Sequence, residues 1–192
     1  IKNMQIFILA SLIGVRAVYI FFTNTYMINI SDWLTNYQYG FIRRGLAGTI
    51  LLTPSDDINF IAYRILPVIL FLLHFSVVYY SLKIFQENEK NIYSLFALVS
   101  PLYILFPIFN VSKGVGNKEL MGILCFLLIV HTNKKKLTFF HLSGIVCLYV
   151  LSVFSHEINL SIIPILLIMM YFKKIILEKK LIIMLLLITL IF

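Results

Sequence analysis

Along this chain the polar residues do not alternate with the apolar ones; they are bunched into short gaps between long apolar runs. A half-buried strand would show a two-residue period and a surface helix a narrow apolar stripe. Continuous runs approaching roughly 20 residues fit helices that cross a bilayer, where every backbone polar group must be satisfied within its own segment. The runs predict spans at 4–23, 58–82, 91–109, 119–132, 137–154, 158–172 and 181–192. Residues 41–52, in the first and longest gap, predict a further short amphipathic or re-entrant helix, with glycines at 45 and 48 for close packing. The expected fold class is therefore all-α: a polytopic helical membrane protein with about seven transmembrane helices, forming one transmembrane domain over 1–192. The chain starts at Ile1 and stops inside an apolar run at Phe192, so it reads as a fragment of a longer protein.

Composition agrees with this pattern. Hydrophobic residues make up 61% of the chain and charged residues 12%, about half the share of a soluble domain. The net charge of +8 would suggest nucleic acid if it were spread over a surface, but its distribution excludes that. Ten basic residues (Lys2, Lys83, Lys90, Lys134, Lys135, Lys136, Lys173, Lys174, Lys179 and Lys180) lie at the N-terminus and in the even gaps. Four (Arg43, Arg44, Lys113 and Lys118) lie in the odd gaps. Basic residues collect in short cytoplasmic loops, so the N-terminus and even gaps face the cytoplasm and the odd gaps face outward. Cys125 and Cys147 lie within apolar runs and read as small core residues, with neither a disulfide framework nor a metal spacing. His74, His131 and His141 read as structural. Three Asn-x-Ser sequences, at Asn29, Asn110 and Asn159, read as chance.

The chemistry is concentrated in the three outward gaps. The first holds Asp32, Trp33 and the tyrosines 26, 37 and 39, which suit an interfacial aromatic belt, followed by Arg43-Arg44. A paired Arg offers rigid forks matched to phosphate oxygens, on a face that otherwise disfavours basic residues. Asp56 and Asp57 precede the second span as its cap and first-turn acids. The third gap, Lys113-Gly114-Val115-Gly116-Asn117-Lys118-Glu119, is Gly-rich and basic, suited to phosphate or diphosphate, without the spacing of a nucleotide-binding P-loop. The fifth, Ser155-His156-Glu157-Ile158-Asn159, places a proton-relaying imidazole beside a carboxylate between two apolar runs. No metal site or cofactor is expected, since His-Glu alone lacks the further ligands of a zinc pattern. The candidate residues are thus Asp32, His156 and Glu157 for catalysis, and Arg43, Arg44, Lys113, Lys118 and Glu119 for substrate binding.

The string from Asp32-Trp33 through Tyr39-Gly40-Phe41-Ile42-Arg43-Arg44-Gly45-Leu46-Ala47-Gly48, with Gly116-Asn117-Lys118-Glu119 and His156-Glu157, resembles polytopic proteins of bacterial surface-polysaccharide clusters. These are compared with O-antigen polymerases and with membrane glycosyltransferases of the GT-C class. The resemblance implies a glycosyltransferase or polysaccharide polymerase of the bacterial cytoplasmic (inner) membrane, multi-pass with a cytoplasmic N-terminus. Its substrate would be a lipid-linked diphosphate sugar at the outer face, and an acid of the first external loop, here Asp32, would be catalytic. Partners expected are membrane lipids, the lipid-linked oligosaccharide and other polysaccharide-assembly proteins, not nucleic acid. A transporter or flippase of an anionic lipid-linked substrate, or a non-catalytic scaffold subunit, would use the same residues differently.

Overall fold

The computed structural model describes residues 2–23, 33–35, 45–54, 57–87, 118–132, 138–171 and 179–191. Among these all regular structure is helical. Helix α1 is Lys2–Thr23, α2 is Leu46–Leu52 and α3 is Ile58–Glu87. Helix α4 is Glu119–His131, α5 is Phe139–Ser155, α6 is Ile162–Tyr171 and α7 is Lys179–Ile191. Six of the seven expected spans therefore coincide with helices; the expected span at 91–109 lies outside the described residues. Among the described residues α3 is the one helix long and apolar enough to cross a membrane, while Met4–Arg16, Glu119–His131, Phe140–Ser155 and Asn159–Ile168 are shorter apolar helices.

Local chemistry fixes where these helices start and change pitch. Asp57 has an extended backbone and its Oδ1 accepts from the amides of Asn59 at 2.9 Å and Phe60 at 3.2 Å, the N-cap expected of it. Helix α3 then widens into a π turn at Ile61–Ile65. Pro67 denies Tyr63 its helical N–H donor, and the wide turn sits where that bond is missing. Thr138 caps α5 by accepting from the amide of His141 at 3.4 Å. Pro164 stands in the first turn of α6, where its missing N–H costs nothing.

Two buried clusters hold the helices together. One joins α1, α3 and α4 through Ala10, Ile13, Leu66, Leu70, Val77 and Leu124, and the other joins α4 to α7 through Cys125, Ile129, Tyr149, Val153, Leu166 and Leu185. The Cys125 thiol points at the carbonyl of Ile145, 3.7 Å away, and Tyr149 Oη meets Thr189 Oγ1 at 3.2 Å. Cys125 is buried as expected; Cys147, expected in the core, is exposed. His74 is fully buried and its Nδ1 donates to the Leu70 carbonyl at 2.9 Å. The outward side of α1 exposes Phe7, Ile8, Leu9, Leu12 and Val15, a surface suited to hydrocarbon rather than water.

The direction of α4 is set at both ends. His131 Nδ1 at its C-terminus lies 3.3 Å from Glu87 Oε2 at the C-terminus of α3, so α3 and α4 run parallel. The start of α4 lies beside the end of α5. The first gap folds back onto that same end: Trp33, Ala47 and Leu51 share the buried cluster of Leu120, Met121 and Leu124, and α2 packs against α5. Trp33 is only 3% exposed, so it is a core residue and not part of an interfacial belt. Its aromatic area is better satisfied against α4 than at a headgroup boundary.

Gly48 makes this fold-back possible. A Cβ there would lie 2.0 Å from the carbonyl oxygen of Thr35 and 2.7 Å from the carbonyl carbon of Leu34, both backbone atoms that cannot rotate away. Gly144, by contrast, has nothing within 4 Å. Gly48→Ala should destabilise the chain by about 1–3 kcal/mol, as overpacking does. In a detergent melt that is a drop of about 2–4 °C per kcal/mol. Gly144→Ala should leave the melting temperature unchanged or raise it, because Ala is the better helix former.

Candidate functional site

The third and fifth polar segments meet at the end of the bundle where α4 begins and α5 stops. Helix α4 starts directly after Gly114-Val115-Gly116-Asn117-Lys118, and its first residue is Glu119, a carboxylate placed where the helix dipole favours negative charge. Helix α5 ends at Ser155. His156 is extended, with φ −158° and ψ 117°, and residues Glu157–Ser161 continue as a 3-10 turn into α6. The extended residue swings the imidazole off the α5 axis towards α4. His156 Nε2 and Glu119 Oε1 come within 3.3 Å, the imidazole 15% exposed and the carboxylate 34%.

Polar groups around this pair are tightly held. The Ser152 carbonyl accepts from the His156 amide at 2.9 Å and from Asn159 Nδ2 at 2.9 Å. The Asn159 amide donates to the His156 carbonyl at 3.1 Å. Asn159 is buried, and its side chain lies directly on the backbone of α4 at Gly122, where a Cβ would fall 2.1 Å from Asn159 Oδ1. Lys118 is fully buried, although the sequence suggested a contact with an anionic headgroup. Ser155 Oγ is buried and has no hydrogen-bond partner among the described residues.

Beside the pair is a cavity of about 330 Å³ between α4 and the start of α6, lined by Glu119, Gly122, Ile123, Phe126, Asn159, Ser161, Ile162 and Ile165. Its volume is at the lower end of the roughly 300–1,000 Å³ of small-ligand sites. The polar lining comes from helix ends, Glu119 opening α4 and Asn159 and Ser161 preceding α6, and Ile123, Phe126, Ile162 and Ile165 of the two helices supply the apolar part. Glu119, Gly122, Ile123 and Phe126 follow the i, i+3, i+4, i+7 spacing of one helix face, so the lining runs along α4 for about 10 Å from Glu119 to Phe126.

Of the expected site residues, the geometry joins His156 and Glu119 and puts Lys118 immediately beside them. Glu157 is described by its backbone alone, in the 3-10 turn. Asp32, Arg43, Arg44 and Lys113 lie outside the described residues; the flanking Trp33 and Gly45 are both buried. The sequence paired His156 with its neighbour Glu157, whereas the carboxylate seen at the imidazole comes from the other segment. Ser152, Gly122 and Asn159 were missed as parts of the site. One signal was available for Gly122: it stands three residues after Glu119, on the same face of α4. Among the described residues no group of three or more His, Cys, Asp or Glu side chains is gathered to hold a metal ion.

Because the Glu119–His156 pair is partly exposed, it should contribute only about 0–1 kcal/mol to stability. Glu119→Gln should therefore shift the melting temperature by a few degrees at most, at about 2–4 °C per kcal/mol. Lys118→Ala, which empties a fully buried position, should lower it more. The opposite order in a detergent melt would mean that the pair is a structural staple.

Comparison with known proteins gives one match. A family model described as "Uncharacterised membrane protein Rv1490" matches residues 2–184, so the chain belongs to that membrane-protein family. No curated protein and no solved structure matches the chain.

Proposed function

Taking membership of this membrane-protein family as the premise, we propose that the chain is an integral membrane glycosyltransferase or polysaccharide polymerase, using a lipid-linked diphosphate sugar at the outer face of the bacterial cytoplasmic membrane. The observation that carries this reading is the His156–Glu119 pair beside a cavity whose polar lining comes from helix ends and whose remaining lining is apolar. A ligand with a polar head and a hydrocarbon tail matches that lining, and a soluble sugar nucleotide does not. The wider expectations accompany it: a multi-pass, single-domain bundle of about seven spans with a cytoplasmic N-terminus.

In the proposed reaction an acceptor hydroxyl attacks the anomeric carbon of the lipid-linked sugar, and the bond to the diphosphate oxygen breaks. His156 Nδ1 takes the hydroxyl proton, while Nε2–H faces the Glu119 carboxylate, which stabilises the imidazolium that results. Glu119 thus orients and supports the base, a role that replaces the substrate contact first expected of it. The leaving diphosphate carries the negative charge away, and Arg43, Arg44 and Lys113 are assigned to neutralise it, with the buried Lys118 adding its charge from within the bundle. Asp32 and Glu157 remain the carboxylates available to position the acceptor. The tail of the substrate would lie along Ile123, Phe126, Ile162 and Ile165.

The test is complementation of a deletion strain, with surface glycan length as the readout and membrane levels checked by immunoblot. His156→Ala should reduce glycan synthesis by roughly 100- to 10,000-fold, the usual contribution of a general base, at normal protein level. Arg44→Ala should fail in the same way, and Phe126→Trp should impair synthesis by filling the cavity. Unchanged glycan in the deletion strain would remove the polysaccharide assignment and favour a transporter or scaffold.

A further inference from the structure

His156 stands on a corner: the chain leaves α5, passes through this one extended residue and enters a 3-10 turn. Three hydrogen bonds close that corner, and Asn159 makes two of them, from its backbone amide to the His156 carbonyl and from Nδ2 to the Ser152 carbonyl. The third runs from the His156 amide to the same Ser152 carbonyl. Asn159 is 4% exposed, so its amide is an internal tie and not a surface group.

The other side of Asn159 is fixed by α4. Its Oδ1 and Cγ occupy the space that a Cβ on residue 122 would fill, at 2.1 and 2.5 Å. Gly122 lies three residues after Glu119 and on the same face of α4. The side chain that closes the His156 corner is thus seated on the helix turn that carries the His156 partner. No other residue type fits this seat equally well. Asp has the shape but lacks the Nδ2 donor and would set an anion against the Ser152 carbonyl; Gln is too long for the slot; Ala leaves both the slot and the carbonyl unfilled.

We infer that Asn159 is the positioning residue that holds the His156 imidazole against Glu119, with Gly122 as the slot that admits it. The geometric part stands on these contacts alone; its kinetic consequence rests on the reading of His156 as the base. A misplacement of about 1 Å at such a group lowers turnover by up to roughly 100-fold without removing the substrate site.

The test uses the full chain with the exposed Cys147 replaced by Ala, leaving the buried Cys125 in place. In this background Glu119→Cys/His156→Cys is treated in membranes with a short bifunctional thiol reagent, with and without Asn159→Asp or Asn159→Ala. Cross-linking should be efficient with Asn159 present and fall to background in both variants. In the otherwise native chain Asn159→Asp should lower kcat, counted per folded molecule, by about 10- to 100-fold with KM within about twofold. Gly122→Ala should reproduce the loss. Gly122→Ala with Asn159→Ala should be far less severe than Gly122→Ala alone, because the conflicts with Oδ1 and Cγ are then gone and only the Cβ contact at 3.1 Å remains. If Asn159→Ala lowers the folded yield, the near-isosteric Asn159→Asp carries the comparison. Undiminished cross-linking in both Asn159 variants overturns the inference. Lost cross-linking in a chain without glycosyl-transfer activity supports the positioning role and removes only the proposed reaction.

Discussion

A chain of such apolar helices can place chemistry only where those helices end. Within hydrocarbon every backbone amide is committed to the helix, and a charged side chain at mid-depth is costly. At a helix end the last carbonyls and first amides are still unsatisfied and water or a headgroup is near. The rest of this structure depends on that constraint. Glu119 is the first residue of α4, His156 the first after α5, and Asn159 lies in the turn before α6. The same rule operates at the opposite end, where Glu87 and His131 finish α3 and α4.

Because helix ends are the only places available, packing at those ends determines which polar groups meet. Here the packing relies on missing side chains. Gly48 brings the first gap onto its own residues 33–35, and Gly122 lets α4 take an asparagine against its backbone. Trp33 is then buried in the cluster that includes Leu120, Met121 and Leu124 of α4, and Lys118 is enclosed. The result is a His–carboxylate pair drawn from two segments 37 residues apart (156 − 119 = 37), beside a cavity lined by polar residues from helix ends and by apolar residues of α4 and α6.

Much of this organisation was legible in the sequence. Long apolar runs gave six helices close to their observed bounds, and the parity of the gaps pointed to the third and fifth segments as neighbours. Asp57 was readable as a cap because an acid followed by an apolar run has few other uses at that position. Three things were not legible. Trp33 looked interfacial, since a lone tryptophan near the end of a span usually is, and only the fold-back over Gly48 shows that it is buried. The enclosure of Lys118 was hidden because burial of a lysine is a property of the assembled bundle. The contact of His156 with Glu119 was hidden because sequence adjacency favoured Glu157, whereas an extended residue turns its side chain across to another helix. Helix periodicity specifies faces, and says little about which face of one helix meets which end of another.

The proposed function requires the Glu119–His156 end of the bundle to be the outer, working face and the Glu87–His131 end to be cytoplasmic. Single cysteines at positions 119, 156, 87 and 131, in a Cys147→Ala background, can be labelled on intact cells with a membrane-impermeant maleimide. The account predicts labelling of 119 and 156 on intact cells, and of 87 and 131 only after permeabilisation. Labelling of 87 and 131 from outside, with 119 and 156 protected, would contradict it.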